Sequence, residues 1–492
     1  MAVNRKTILM SRLTTLLALA FLLGASASAQ AVASVQTPDS SSAVSSEKAT
    51  DPSSAAGLPT DPSAEAPEGQ PQIWNFHMQS TVTVQGYPPF SARYSGTNSL
   101  PTRGEVQETV SLDLYTGFRL WQGAELHSDL LMWQGFGVGN TLGIDDFPDG
   151  EAYKFGTHAP RGAIARLFIR QTIGLGGAKE DLLDDPLMLA GRRDISRVTF
   201  TIGRFNAKDI FDNNTYANDP RTQFMNWALS TANAAWDYPA DALGYTTGVA
   251  VELNQPKWAL RYGFFQIPNM RNGFTAEDRY LLWPGIPTAG DGEFWHAWDM
   301  AVENELRYAI NSHRGTVRLL GYVNQGQFGS YQAALSAPDV NIDLTHALRH
   351  EYGFGLNFEQ EITKNIGVFS RLGWNNGTTE AWMFTDVNHT GSLGVVVKGE
   401  SWHRPDDTVG VATVIGGISL ANQRYLEAGG LGILDGDGGL SYAKEKVLET
   451  YYQAKLTQHL LAALDYQFVA DPAFNSARGP VNVFGARFHF EF

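Results

Sequence analysis

Arg166, Arg170 and Arg204 sit in short strand-like runs, and the segment 209–221 that follows them is rich in Asp and Asn. Asp209, Asp212, Asn213, Asp219 and Arg221 lead on to Trp227, Trp236 and Asp237. Guanidinium and carboxylate groups this dense pair with one another, or they offer donors and acceptors to a polar ligand. The two indoles add flat apolar faces, each with one N–H. None of these groups is a nucleophile. The 11 histidines are scattered, and the chain has no HExxH, no GxSxG and no close Ser/His/Asp grouping, so no catalytic residues are expected. His346 and His350 lie four apart in THALRH without a neighbouring carboxylate or third ligand, and read as part of a solvated loop. Asp435 and Asp437 in LDGDGGLSY lack the further spaced ligands and the bidentate Glu of an EF-hand loop. They read as a turn, and neither a metal nor a cofactor is expected.

The elements that hold these groups show in the apolar pattern. In IWNFHMQSTVTVQ (73–85), Trp74, Phe76, Met78, Val82 and Val84 share one face, and Asn75, His77, Gln79, Thr81, Thr83 and Gln85 the other. The last stretch, VNVFGARFHFEF (481–492), sets Phe484, Ala486, Phe488, Phe490 and Phe492 against Gly485, Arg487, His489 and Glu491. Residues 110–120, 257–264 and 460–468 alternate in the same way. Side chains in a strand point alternately to opposite faces, and segments of about ten residues with this period are the signature of a membrane barrel. A soluble all-β protein alternates as well. What favours lipid on the apolar side is a polar face carrying Arg, Asp, Glu, Gln and Gly over one 422-residue block, 71–492. Two arginines on lipid would cost about 2–4 kcal/mol each at mid-depth, so Arg166 and Arg170 are placed on the lumen although Phe168 shares their parity. Arg204 shares its parity with Phe200 and Ile202.

Tight connections are expected at Gln122-Gly123, Asn254-Gln255-Pro256, Asn311–Gly315, Lys364-Asn365 and Thr457-Gln458-His459. Long ones are expected at roughly 134–161, 177–196, 266–298, 327–349, 375–401 and 424–444. Short turns on the periplasmic side and long loops outside suit an antiparallel transmembrane β-barrel of about 16 strands with a water-filled lumen.

The N-terminus gives the compartment. Arg5, Lys6 and Arg12 precede the apolar run LTTLLALAFLLG (13–24), and Ala27-Ser28-Ala29 supplies a small-x-small cleavage site. Residues 1–29 therefore read as a signal peptide with Gln30 as the mature start. Residues 30–70 contain 9 Ser, 8 Ala and 5 Pro and no aromatic residue, and read as a disordered linker. Beyond the signal no apolar run reaches the length of a membrane helix, and there is no cysteine to form a disulfide. The block 71–492 carries a net charge of −13, which argues against a nucleic-acid partner.

Several stretches go beyond pattern. GRFNAKDIFDNNTYANDPRTQFMNWAL (203–229), WDYPAD (236–241) and GYTTG (244–248) resemble the carbohydrate-selective porin (OprB-like) family. So do ARLFIRQTIGLGG (165–177), WHRPDDTVGVA (402–412), GDGGLSYAKEKVLETYY (436–452) and DYQFVADPAFNSARGPVNV (465–483), in the family's order from about residue 73 to the terminus. The resemblance implies a 16-stranded porin of the bacterial outer membrane through which monosaccharides and small oligosaccharides diffuse passively. It further implies that Phe488, Phe490 and Phe492 form a terminal signal for the barrel assembly machinery, with their face on outer-membrane lipid. The Asp/Asn-rich segment would then fold inward and narrow the channel. Its charged residues either contact sugar or pin the loop to the wall, and both readings stand here, as does assembly into a homo-oligomer. The alternatives are a structural or adhesive barrel and a barrel hydrolase, neither of which would let sugar into liposomes.

Overall fold

The computed structural model describes residues 71–153, 156–230, 235–273, 297–384 and 386–492. The expected signal peptide (1–29) and linker (30–70) lie outside the described residues. The first strands are β1 (Trp74–Tyr87), β2 (Glu105–Trp121), β3 (Ala124–Gly135), β4 (Thr157–Gly174), β5 (Lys179–Leu182), β6 (Gly191–Asp194), β7 (Arg197–Phe205), β8 (Thr246–Asn254) and β9 (Trp258–Gln266). They are followed by β10 (Trp298–Ile310), β11 (His313–Gly326), β12 (Arg349–Thr363), β13 (Ile366–Asn375), β14 (His389–Gly399), β15 (Arg404–Gly417), β16 (Glu445–Thr457), β17 (Leu460–Ala470) and β18 (Val481–Glu491). Sixteen of these close into an antiparallel barrel in which β4 pairs with β7 and β18 returns to β1, while β5 and β6 form a separate hairpin. No helix among the described residues is long and apolar enough to cross a membrane.

The period-2 pattern sets the facing. On β18, Phe484, Phe488 and Phe490 are exposed on the outside, whereas Arg487 and His489 are buried within. Register carries this onto β1, where Val82 lies opposite Phe488 and Thr81 opposite His489, so like faces meet across the closing seam. On β17, Leu464 is 70% exposed while Asp465 and Gln467 are buried.

Two local breaks decide where the arginines point. Asp129 pairs with Arg166 and Leu130 with Ile164, so Ala165 is an extra residue, a bulge that shifts the inward parity of β4. Ala163 and Ala165 face inward before the bulge, and Arg166, Phe168 and Arg170 after it. Phe168 is therefore an interior residue, stacked on His127 at 5.3 Å. On β7 the break is Gly203, whose φ of 137° is one that glycine alone adopts readily and where a Cβ would lie 2.3 Å from the Leu167 carbonyl oxygen. Arg204 consequently turns inward, away from the face of Phe200 and Ile202 that parity alone had given it; both of those are exposed.

The expected tight turns all fall at one end of the barrel. The long connections 88–104, 136–156, 206–245, 267–297, 327–348, 376–388, 418–444 and 471–480 fall at the other. The segment expected as a long loop at 177–196 is an exception: it carries the β5–β6 hairpin and leaves β4 at the short-turn end. Contacts with the neighbouring wall hold it there, Asn75 Nδ2 donating to Asp184 at 2.8 Å and Arg170 to the Leu187 carbonyl at 2.7 Å. The loop expected at 375–401 is shorter, because its second half is β14. The interior is also less aqueous than an open tube. Inward-folding loops bring Phe211, Phe224, Trp236 and Tyr238 against Phe205 of β7 in a buried apolar cluster.

Candidate functional site

The connection 206–245 folds into the barrel and is held by wall residues from several strands. Arg371 on β13 donates to the carbonyls of Ala217 and Leu229, both at 2.8 Å. Arg487 on β18 donates to the carbonyls of Pro220 (2.6 Å) and Gln223 (2.7 Å). Carboxylates do the complementary work: Glu449 accepts from the Met225 and Asn226 backbone N–H groups, Glu303 from that of Asp212, and Glu359 from that of Thr215. A loop inside a barrel must satisfy its own backbone polar groups, and the polar inner face supplies the partners. The loop's entry is set by a 3₁₀ turn, Ala207–Asp209, closed by a capping box between Asn206 and Asp209.

Between this loop, the β3–β4 connection and the wall lies a cavity of about 270 Å³. Its charged lining is balanced, with Arg166, Lys208 and Arg221 facing Glu151, Asp209 and Asp219. Arg166 donates twice to Asp209, both at 2.8 Å, and once to Asp129 at 2.6 Å. Arg221 meets Glu151 at 3.0 Å and Asp113 at 3.3 Å. Burial lowers Lys208 to a pKa of about 8, with nearby Arg371 adding to the effect, although its ammonium donates to the carbonyls of Asn218 and Ser230. Aromatic side chains complete the lining. Trp227 lies 5.0 Å from Phe147 and 4.7 Å from Phe384, Tyr238 stacks on Phe384 at 4.7 Å, and the Arg166 guanidinium lies 5.1 Å from the Tyr245 ring.

Of the residues singled out in the sequence, Arg166, Asp209, Asn213, Asp219, Arg221 and Trp227 line this cavity. The others fix the loops. Arg204 pairs with Asp241 and donates to the Ile164 carbonyl at 3.0 Å. Asp212 meets Arg371 at 3.0 Å and Asn357 at 2.7 Å. Trp236 donates to Asp299 at 3.4 Å, and the Asp237 carboxylate accepts the backbone N–H groups of Trp382, Met383 and Phe384. Arg170 holds Leu187 near the short-turn end. Sequence reasoning missed Lys208, Glu151, Tyr115, Tyr153, Tyr238, Tyr245 and Phe384 as lining residues. Tyr115 was open to the parity argument on β2, but Glu151 and Phe384 arrive on distant loops. His346 also differs from expectation: it has a carboxylate partner, Glu380, at 2.7 Å, which raises its pKa, while His350 meets Gln325 at 3.0 Å.

A closed sixteen-stranded barrel with an apolar outer face and an inward-folded loop beside a polar and aromatic cavity has the architecture of an outer-membrane porin. A family model confirms the class and narrows it. The chain belongs to the carbohydrate-selective porin, OprB family, matched over residues 97–492. The high-pH structure of Pseudomonas putida OprB superposes with a TM-score of 0.64 at 16% identity, covering 85% of this chain and 94% of that one. The low-pH structure of the same protein gives 0.46 at 12% identity, covering 85% and 93%. The outer membrane channel DcaP of Acinetobacter baumannii gives 0.45 at 8%, covering 85% and 97%. No curated protein matches the chain.

Proposed function

We propose that the cavity beneath the 206–245 loop is the selectivity constriction of this carbohydrate porin, and that neutral sugars pass it by diffusion. The observation that carries the reading is the lining itself, three cations against three anions beside the rings of Trp227, Tyr238 and Tyr245. Opposed charges already paired at 2.8–3.0 Å offer donors and acceptors to hydroxyls without holding a net charge against a solute. The ring faces suit the apolar side of a pyranose. Contacts of this kind are weak, which suits a channel, because tight binding would slow exit. Liposome swelling tests the assignment. Trp227→Ala removes a ring face and widens the passage, so it should speed entry of a bulky neutral non-sugar while reducing the preference for glucose. An unchanged preference would place the constriction elsewhere.

Two further expectations belong to the same reading. Residues 1–29 are removed on export and 30–70 form a linker before the barrel. The lipid-facing Phe488, Phe490 and Phe492 of the last strand and its end are read by the assembly machinery.

A further inference from the structure

We propose that the long loops hold a divalent cation of the calcium type between Asp145, Asp386 and Asp435. The three carboxylates come from three separate connections, 136–156, 376–388 and 418–444, and each is at most 1% exposed. One oxygen from each lies within 4.8 Å of the others, a spacing that lets a single ion touch all three. Among the described residues, neither oxygen of Asp435 has a hydrogen-bond partner, and Asp145 Oδ2 has none either, although both residues are completely buried. The carboxylates close tightly around Gly432, where a Cβ would stand 2.1 Å from Asp435 Oδ1 and 2.5 Å from Asp386 Oδ2.

The partners that do exist fall short of neutralising the cluster. Asp386 accepts from the Ile433 N–H at 2.9 Å and the Tyr331 hydroxyl at 3.4 Å, and Asp145 accepts from the Asp386 N–H at 3.3 Å. The nearby Arg271 is taken up by Glu380 at 3.1 Å and the Leu431 carbonyl at 3.3 Å. Glu445, adjoining on β16, spends its oxygens on the N–H groups of Asp145, Asp146 and Ala473. Buried like charges without a counter-ion take up protons or bind a cation. The donor set is oxygen only, which selects a hard cation over zinc. Its dry surroundings suit calcium better than magnesium, which keeps its waters.

An ion here would act on the passage. Asp145 lies two residues before Phe147 and Asp386 two residues after Phe384, and both rings pack on Trp227. The test uses the full-length barrel folded in detergent micelles, stripped with EGTA, then titrated with Tb³⁺ and competed with Ca²⁺. The wild type should show saturable terbium luminescence displaced by calcium, and a heat-unfolding midpoint several degrees higher in calcium than in EGTA. Asp435→Asn, nearly isosteric, should lose most of the luminescence and the calcium response, and melt below the calcium-loaded wild type. Asp437→Asn, a neighbouring acid paired instead with Arg478 at 3.6 Å, should keep both. A cluster that is merely protonated predicts the opposite sign, since Asp435→Asn would remove the cost of holding a buried acid protonated at neutral pH and raise the midpoint. That result, equal terbium binding by Asp435→Asn, or a wild type that ignores both ions would each overturn the proposal; the last holds whether or not the variant folds.

Discussion

Arg166 and Arg170 look equivalent in the sequence, four residues apart on one face of one strand, yet they should behave differently when replaced. Arg166 lines the cavity and carries three short bonds to Asp209 and Asp129, whereas Arg170 donates to a backbone carbonyl near the short-turn end. Arg166→Gln removes one positive charge from a balanced lining. A unit charge about 5 Å from a permeating ion is worth about 0.8 kcal/mol even at the dielectric constant of water, and about 3 kcal/mol at an effective value near 20. The smaller figure favours a cation about fourfold and disfavours an anion about fourfold, so it already shifts the cation-to-anion permeability ratio roughly fifteenfold toward cations, taking RT as about 0.6 kcal/mol. The same change leaves the Asp129 side chain, 0% exposed, without its cation, and breaking a buried pair costs about 3–5 kcal/mol. Arg166→Gln should therefore be less stable to urea, and Asp129→Asn in the same chain should restore part of the loss. Reversal potentials in a salt gradient report the selectivity, and paired liposome swelling with glucose and a neutral non-sugar reports the sugar preference. Arg170→Gln should leave both at the parental values. If it moves them as far as Arg166→Gln does, or if Arg166→Gln moves neither, the cavity under the 206–245 loop is not the constriction.

Lys208 should make the channel sensitive to alkaline pH. With its pKa lowered to about 8, the proposed constriction should lose a positive charge between pH 7 and 9, so cation preference should rise over that range and Lys208→Met should show the high-pH value throughout. The value lies below the ordinary 10.5, so the unfolded chain holds the proton more tightly and the stability penalty of burying the charge fades as pH rises above about 8. Leu464→Arg, on the most lipid-exposed position of β17, should cost about 2–4 kcal/mol if that position sits at mid-depth, while Leu464→Phe should fold normally. Equal yields of folded barrel would invert the facing. Phe490→Asp should leave export intact and sharply reduce the heat-modifiable folded form in the outer membrane; normal assembly would remove the role given to the final strand.

Alternation made the barrel legible because every strand must put apolar groups on lipid and polar groups inward, and that demand is written in each segment separately. Parity survives, however, only as far as the backbone stays regular. One bulged residue, Ala165, places Phe168 inside with its flanking arginines, and one glycine, Gly203, turns Arg204 off the face of Phe200 and Ile202. Neither break is visible in hydropathy, because an inward Phe168 stacked on His127 is as apolar as an outward one. The segment 177–196 misled for a different reason. Loop length correlates with the outer side, but the side itself is fixed by counting strands, and β5–β6 is a hairpin outside the barrel count. The site was half legible. Asp209, Asn213, Asp219 and Arg221 on the inward loop were legible through its Asp- and Asn-rich composition, but Lys208, Tyr238 and Tyr245 on the same loop were not, and Glu151 and Phe384 lie about 60 or more residues from that segment and meet it only after folding.

The distribution of arginines bears on why this interior selects as it does. Several basic groups on the inner wall are committed to holding structure: Arg371 and Arg487 to loop carbonyls, and Arg261 and Arg318 to Glu303, Glu305 and Glu359. A cation bound to backbone dipoles or sandwiched between carboxylates contributes little net field along the axis, and in the cavity lining itself three positive groups face three negative ones, with Asp129 and Asp113 buried behind Arg166 and Arg221. An ion entering such a lining loses hydration without gaining a net opposite charge, a poor exchange in a narrow passage. A neutral polyol exchanges hydrogen bonds to water for hydrogen bonds to the same paired groups, at nearly even cost, and gains ring contact besides. On the proposed reading, discrimination against ions follows from the balance of the lining more than from its width, and an unbalanced cavity should lose selectivity before it loses conductance.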